Sequence, residues 1–125
     1  MITAPHHLAA QAGISILREG GNAIEAMVAA AATIYVVYPH MNSIGGDGFW
    51  LISEPGKSPV GIDASGRAAE LATANFYRDR SCTAIPSRGP FAANTVAGAI
   101  SGWKTALSIG GGRLPLTRLL EDATW

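Results

Sequence analysis

Apolar and polar positions follow a helical period almost from the start of the chain. In residues 6–19, Leu8, Ala12, Ser15 and Ile16 recur at spacings of three and four, and Gly20-Gly21 supplies a stop, so the pattern predicts a first helix. Asn22 with Glu25 three positions on forms a capping box, the Asn side chain accepting from the amide of residue 25, and predicts the start of a second helix. From Ala23 to Val37 that helix is apolar on every side, which marks a buried helix. Pro39 ends it at the latest, and the β-branched Val36-Val37 can already be extended. A turn-rich loop over 39–48 leads into Phe49-Trp50-Leu51-Ile52, a short apolar run that reads as a buried strand. The Pro- and Gly-rich stretch 54–59 is a hairpin turn, and Val60 to Ala64 is its return strand. Beyond it the pattern predicts a short helix around Asn75-Phe76-Tyr77 and an exposed loop over 78–90. A third helix runs from Gly98 to Ile109 with Ile100, Trp103, Ala106 and Leu107 on one face, and another begins at Leu116. The order helix–helix–hairpin–helix, with no β-α-β alternation and no internal repeat, is α+β.

Composition qualifies this picture. The 125 residues are 48% apolar and only 14% charged, where soluble domains carry about 25% charged residues. At 12.9 kDa a compact chain has a surface of about 6,300 Å² against about 19,000 Å² unfolded. So thin a charged coat on so small a globule suits a segment covered by further protein. Nine basic and nine acidic residues cancel, leaving no basic excess to neutralise phosphates and excluding a nucleic-acid binder. The single cysteine, Cys82, excludes an internal disulfide framework and a Cys-based zinc site. The start Met1-Ile2-Thr3-Ala4-Pro5-His6-His7 lacks a positive n-region and a following apolar run, so it is no secretory signal. The apolar stretch Ala26 to Tyr38 is shorter than the about 20 residues a membrane helix needs. The chain therefore reads as soluble and cytoplasmic.

Candidate chemistry is sparse. Gly45-Gly46-Asp47-Gly48 can present amides to an anion, but it precedes a strand and carries no Lys-Ser/Thr, so a tight packed turn is the better reading. His6, His7 and His40 have no metal-ligand spacing. Asp63 and Arg67, four apart after a strand, are either a carboxylate-recognition pair or a surface salt bridge, and spacing alone favours the salt bridge. No serine sits in a G-x-S-x-G elbow and no nucleophile is paired with a base, so these residues hold no complete catalytic set.

Five blocks then occur in order: His6-His7-Leu8-Ala9-Ala10-Gln11-Ala12-Gly13 running to Ile16-Leu17-Arg18-Glu19-Gly20-Gly21-Asn22-Ala23; Pro39-His40 with Ile44-Gly45-Gly46-Asp47-Gly48-Phe49; Asp63 to Thr73; Gly89-Pro90 with Thr95-Val96-Ala97-Gly98; and Gly112-Arg113-Leu114-Pro115. Together they resemble the γ-glutamyltranspeptidase family of N-terminal-nucleophile hydrolases over nearly the whole chain. The resemblance implies a partial αββα fold, two sheets between helices, with residues 1–125 as the N-terminal segment of the large subunit and an incomplete domain. It implies acyl transfer from a γ-glutamyl or related amide to water or an amine, through a Thr exposed by self-cleavage and lying beyond this chain. Neither a metal nor an organic cofactor is implied, and the partners are the rest of the large subunit and the small subunit. The family's Arg that grips the donor's carboxylate falls on Ser65, while Arg67 lies two residues on in Gly66-Arg67-Ala68, a form similar to acylase and amidohydrolase branches. Arg67 and Ser65 are thus the expected substrate-binding positions, and none of the 125 residues is expected to be catalytic. The contrasting expectation is a non-catalytic homologue, a binding or assembly module using the glycine loop at 45–48.

Overall fold

In the computed structural model, residues 1–92 and 95–124 are described. Helix α1 (His7–Arg18) is capped by the His6 side chain, which accepts from the Leu8 amide. It ends where Gly20, at φ +87°, takes the left-handed conformation that L side chains resist. The amides of Gly20 and Gly21 then return to the carbonyls of Leu17 and Ile16, satisfying the last turn. Helix α2 (Ala23–Val37) begins at the capping box that Asn22 and Glu25 predict, and Val36-Val37 remain helical.

Helix α2 is the centre of the molecule. Helices α1, α4 (Ala99–Gly110) and α5 (Leu116–Leu119) and a terminal 3-10 turn, Glu121–Ala123, pack on it, and α4 in turn carries a hairpin of β1 (Gly48–Ile52) and β2 (Val60–Ala64). The core is Ile16, Ala26, Val28, Ala29, Ala32, Trp103 and Leu119. Its alanines let the helices approach closely, which explains why a helix apolar on all sides is covered on so many of them. A short α3 (Ala74–Arg78), capped by Thr73, stands in the excursion between β2 and α4.

Several expectations need correction. The strand at 49–52 is not buried: β1 pairs antiparallel with β2, and the alternation turns Trp50 and Ile52 inward but leaves Phe49 73% and Leu51 80% exposed. On α1, Ala9 and Gly13 are buried with Ala12 and Ile16, whereas Leu8 is exposed. On α4, Ile100 lies outward, because the small residues Ala99 and Gly102 form the contact that lets the hairpin approach. The helix beginning at Leu116 breaks at Leu120, and the tighter turn after it brings Leu120 and Ala123 against the core. The chain exposes 8553 Å², a third more than the roughly 6,300 Å² of a compact protein this size. The excess fits the low charge content: apolar surface is left uncovered by the chain's own elements.

Candidate functional site

The positions that sequence marks for substrate, Ser65 and Arg67, follow directly from β2, and every residue between them is tied down. The Ser65 amide donates to Asp63 Oδ1 at 2.9 Å. The Gly66 amide donates to Asp47 Oδ1 at 3.0 Å. The Arg67 carbonyl accepts from the Val96 amide at 3.0 Å, beside an isolated antiparallel bridge between Ala68 and Thr95. The glycine loop is drawn into the same junction. The Gly46 carbonyl accepts from the amides of Gly98 and Ala99, each at 3.0 Å, and Thr95 Oγ1 donates to Asp47 Oδ1 at 3.4 Å. Three segments (45–48, 65–68 and 95–99) are therefore laced together where β1 begins, β2 ends and α4 begins.

Gly66 is required by this lacing. A Cβ there would overlap the backbone carbonyl of Val96, and no flexible side chain can give way. We expect Gly66→Ala to cost about 1–3 kcal/mol through forced backbone displacement, read as a lower urea midpoint. An unchanged midpoint would mean that the junction opens freely.

The junction also settles what the nearby groups do. Asp63 and Arg67 do not form the expected salt bridge: among the described residues the ion pairs are Lys57–Glu54, Arg118–Glu19 and Arg118–Glu121. The Ser65 hydroxyl and amide hold the Asp63 carboxyl below the usual carboxylate range, and the amide makes the well-formed bond. Such a local turn competes successfully with an ion pair between exposed, flexible partners. Arg67 is exposed. The glycine loop is a packed turn whose Gly46 carbonyl and Asp47 carboxylate accept bonds from the neighbouring segments. Sequence places Asp47 in the glycine loop and Thr95 in a family block but does not reveal the bonds between them and Gly66, whose partners are 19 and 48 residues apart in the chain and leave no local signature.

Other candidates are structural in their contacts. His6 caps α1 and stacks on His7, and His40 packs against Tyr38. Cys82 is half-buried, its thiol directed to the Arg80 carbonyl at 3.7 Å. Among the described residues no group of three or more His, Cys, Asp or Glu side chains is placed to hold a metal ion, and no helix is long and apolar enough to cross a membrane. A groove of about 760 Å³ between α1 and α2, lined by Gln11, Ser15, Arg18, Thr33, Val37 and Asp122, is remote in sequence from the junction.

Comparison with known proteins gives these features their setting. The oxamate amidohydrolase proenzyme of Klebsiella pneumoniae is 61% identical over 98% of this chain and 24% of its own length. The glutathione hydrolase-like YwrD proenzyme of Bacillus subtilis is 44% identical over 98% of the chain and 23% of its own. The chain thus spans about a quarter of the length of these curated relatives. In structure it is similar to the γ-glutamyltranspeptidase of Helicobacter pylori, with a TM-score of 0.84 at 33% identity, over 97% of this chain and 35% of that one. The family model for gamma-glutamyltranspeptidase matches residues 9–124. With that match running from α1 to the last turn, and the α+β arrangement shared with a solved member, the chain belongs to the γ-glutamyltranspeptidase family.

Proposed function

We propose that residues 1–125 are the opening segment of the large subunit of a cytoplasmic amide hydrolase of this family, acting on a short, carboxylate-bearing amide of the oxamate type. The observation that carries the reading is the 61% identity, along 98% of the chain, to a protein named for oxamate hydrolysis. The residues at the junction agree with it. Ser65 stands where the resemblance puts the family's carboxylate-gripping Arg, and a hydroxyl cannot replace a two-point guanidinium contact. Arg67, two residues on, supplies a guanidinium displaced by up to about 7 Å of extended chain. Oxamate bears its carboxylate directly on the scissile carbonyl, whereas a γ-glutamyl donor bears it several bonds away, so the two donors call for differently placed anchors.

The chemistry follows that of an N-terminal nucleophile. A Thr hydroxyl beyond this chain, deprotonated by its own amine, attacks the amide carbon; ammonia leaves, and water releases the acid from the ester. Within these residues the contribution is to hold the donor's carboxylate. In the full-length protein, ammonia release from oxamate should be saturable and should exceed p-nitroaniline release from γ-glutamyl-p-nitroanilide in kcat/KM. The 125 residues alone should turn over neither donor. Preference for the γ-glutamyl donor would overturn the assignment of substrate. Turnover by the short chain, abolished by a point mutation within it, would overturn the placement of the nucleophile. Inertness of the full-length protein on both donors would favour the non-catalytic binding or assembly module.

A further inference from the structure

We propose that Asp47 is a positioning residue for substrate recognition: its carboxylate sets the backbone of Ser65-Gly66-Arg67 and through it aims the Arg67 guanidinium. The inference rests on the reading of Arg67 as the carboxylate anchor.

Three bonds define the path of this loop, and they differ in origin. Asp63, at the end of β2 itself, holds the Ser65 amide, so that tie travels with the strand. Val96 holds the Arg67 carbonyl backbone to backbone. Asp47 holds the middle residue, Gly66, through a side chain that comes from the opposite edge of the hairpin, at the entry to β1. The same oxygen accepts from Thr95 Oγ1, so one carboxylate spans both segments that flank it. The backbone next to Asp47 is itself anchored, because the Gly46 carbonyl holds the amides that open α4. Asp47, exposed but set on an anchored backbone, thus ties Gly66 to the entry of β1. A residue held at its own carbonyl and through the amide of the preceding glycine has little freedom to swing, and a guanidinium that must meet both oxygens of a carboxylate depends on that restriction. The Asp47 Oδ1 that accepts from Gly66 and Thr95 acts on the loop backbone, so its effect on a donor passes through Arg67.

The test uses the full-length protein with oxamate and with oxamide, which lacks the carboxylate. Asp47→Ala should raise KM for oxamate about 5- to 10-fold while kcat changes by less than about twofold, and KM for oxamide should stay put. Asp47→Asn should stay within about twofold of wild type on both, because its amide oxygen still accepts from Gly66. In an Arg67→Ala background the Asp47→Ala change should have no further effect, the non-additivity expected when one residue acts through another. Thermal midpoints of all variants give the accompanying measure of folding. An unchanged KM in Asp47→Ala, a loss shared equally by oxamide, or a loss that persists in full in the Arg67→Ala background would overturn the proposal. The anchor reading itself fails in a different way, with Arg67→Ala alone indistinguishable from wild type on oxamate.

Discussion

Replacing Glu25 with alanine is expected to destabilise the protein by about 3–5 kcal/mol, because one truncation strands three backbone donors. Glu25 is 1% exposed. Its Oε2 accepts from the Asn22 amide at 2.7 Å, closing the capping box of α2. Its Oε1 accepts from the amides of Arg113 and Leu114, at 2.6 and 2.7 Å, in the connection between α4 and α5. Asn22 adds a fourth tie by donating from Nδ2 to the Gly110 carbonyl at 3.0 Å. One buried carboxylate thus joins the start of the central helix to a loop 88 residues away. Glu25→Gln keeps the shape and one acceptor oxygen, but turns an amide donor toward at least one backbone donor. A loss of about 2–3 kcal/mol is expected there. Urea midpoints of the two variants against wild type give the measurement, and a midpoint shift below a few tenths of a molar for Glu25→Ala would show that water replaces the carboxylate at little cost.

The same group predicts how stability depends on pH. Burial pushes the Glu25 carboxyl up, but the bonds from the amides of Asn22, Leu114 and Arg113, helped by the Arg113 charge, outweigh it and leave the carboxyl below its ordinary value. A folded-state pKa below the unfolded value means that the unfolded chain takes up its proton first as pH falls. The contribution is therefore complete above the unfolded value of about 4.3 and disappears as pH drops through the folded one. Glu25→Gln should flatten the acid limb of stability in that window while leaving the slope near neutrality unchanged. An acid limb as steep as that of wild type would assign the effect to other carboxylates.

Half of the Glu25 arrangement is legible in sequence and half is not, and the division is physical. Its bond to the Asn22 amide spans three residues, so the capping box appears as a spacing; its bonds to 113 and 114 depend on how α4 and α5 return to α2 and leave no spacing to read. The same rule sorts the other elements. The end of α1 at Gly20 and the hairpin are local and agree with the residue pattern. The faces of β1 and α4 are not local. Phe49-Trp50-Leu51-Ile52 is a continuous apolar run, yet the pleat sends alternate residues outward, and Ile100 yields its place to smaller neighbours because the hairpin needs the room. At the candidate site, Arg67 is legible as a departure from a family motif, while the Asp47 bond that fixes its loop bridges 19 residues and appears only in three dimensions. The salt bridge expected between Asp63 and Arg67 fails for the opposite reason. A still more local partner, the Ser65 amide two residues away, takes the Asp63 carboxylate first.

Arg67→Ala in the full-length protein is expected to lower kcat/KM for oxamate by about 30- to 1,000-fold, which corresponds to about 2–4 kcal/mol of charge-assisted binding lost in the transition state. Arg67 makes no ion pair among the described residues, so its guanidinium is available to a ligand. Its backbone is held on the carbonyl side by Val96 and on the amide side through Gly66, so the side chain leaves a defined point and not a loose loop. Because the group is exposed and its side chain makes no bond among the described residues, removing it should leave the thermal midpoint within about 1 °C of wild type, as for a surface substitution away from packed features. Arg67→Lys should recover little of the activity. An ammonium keeps the charge but meets a carboxylate at one point, where the planar fork meets both oxygens. Oxamide separates anchoring from chemistry, since it presents the same scissile amide without the charge. The Arg67→Ala loss should be confined to oxamate and should appear mainly in KM, as for a contact made equally in the ground and transition states. Equal losses on oxamate and oxamide, or no loss on either, would make Arg67 a residue of the surface and return the anchoring role to a part of the protein beyond these 125 residues.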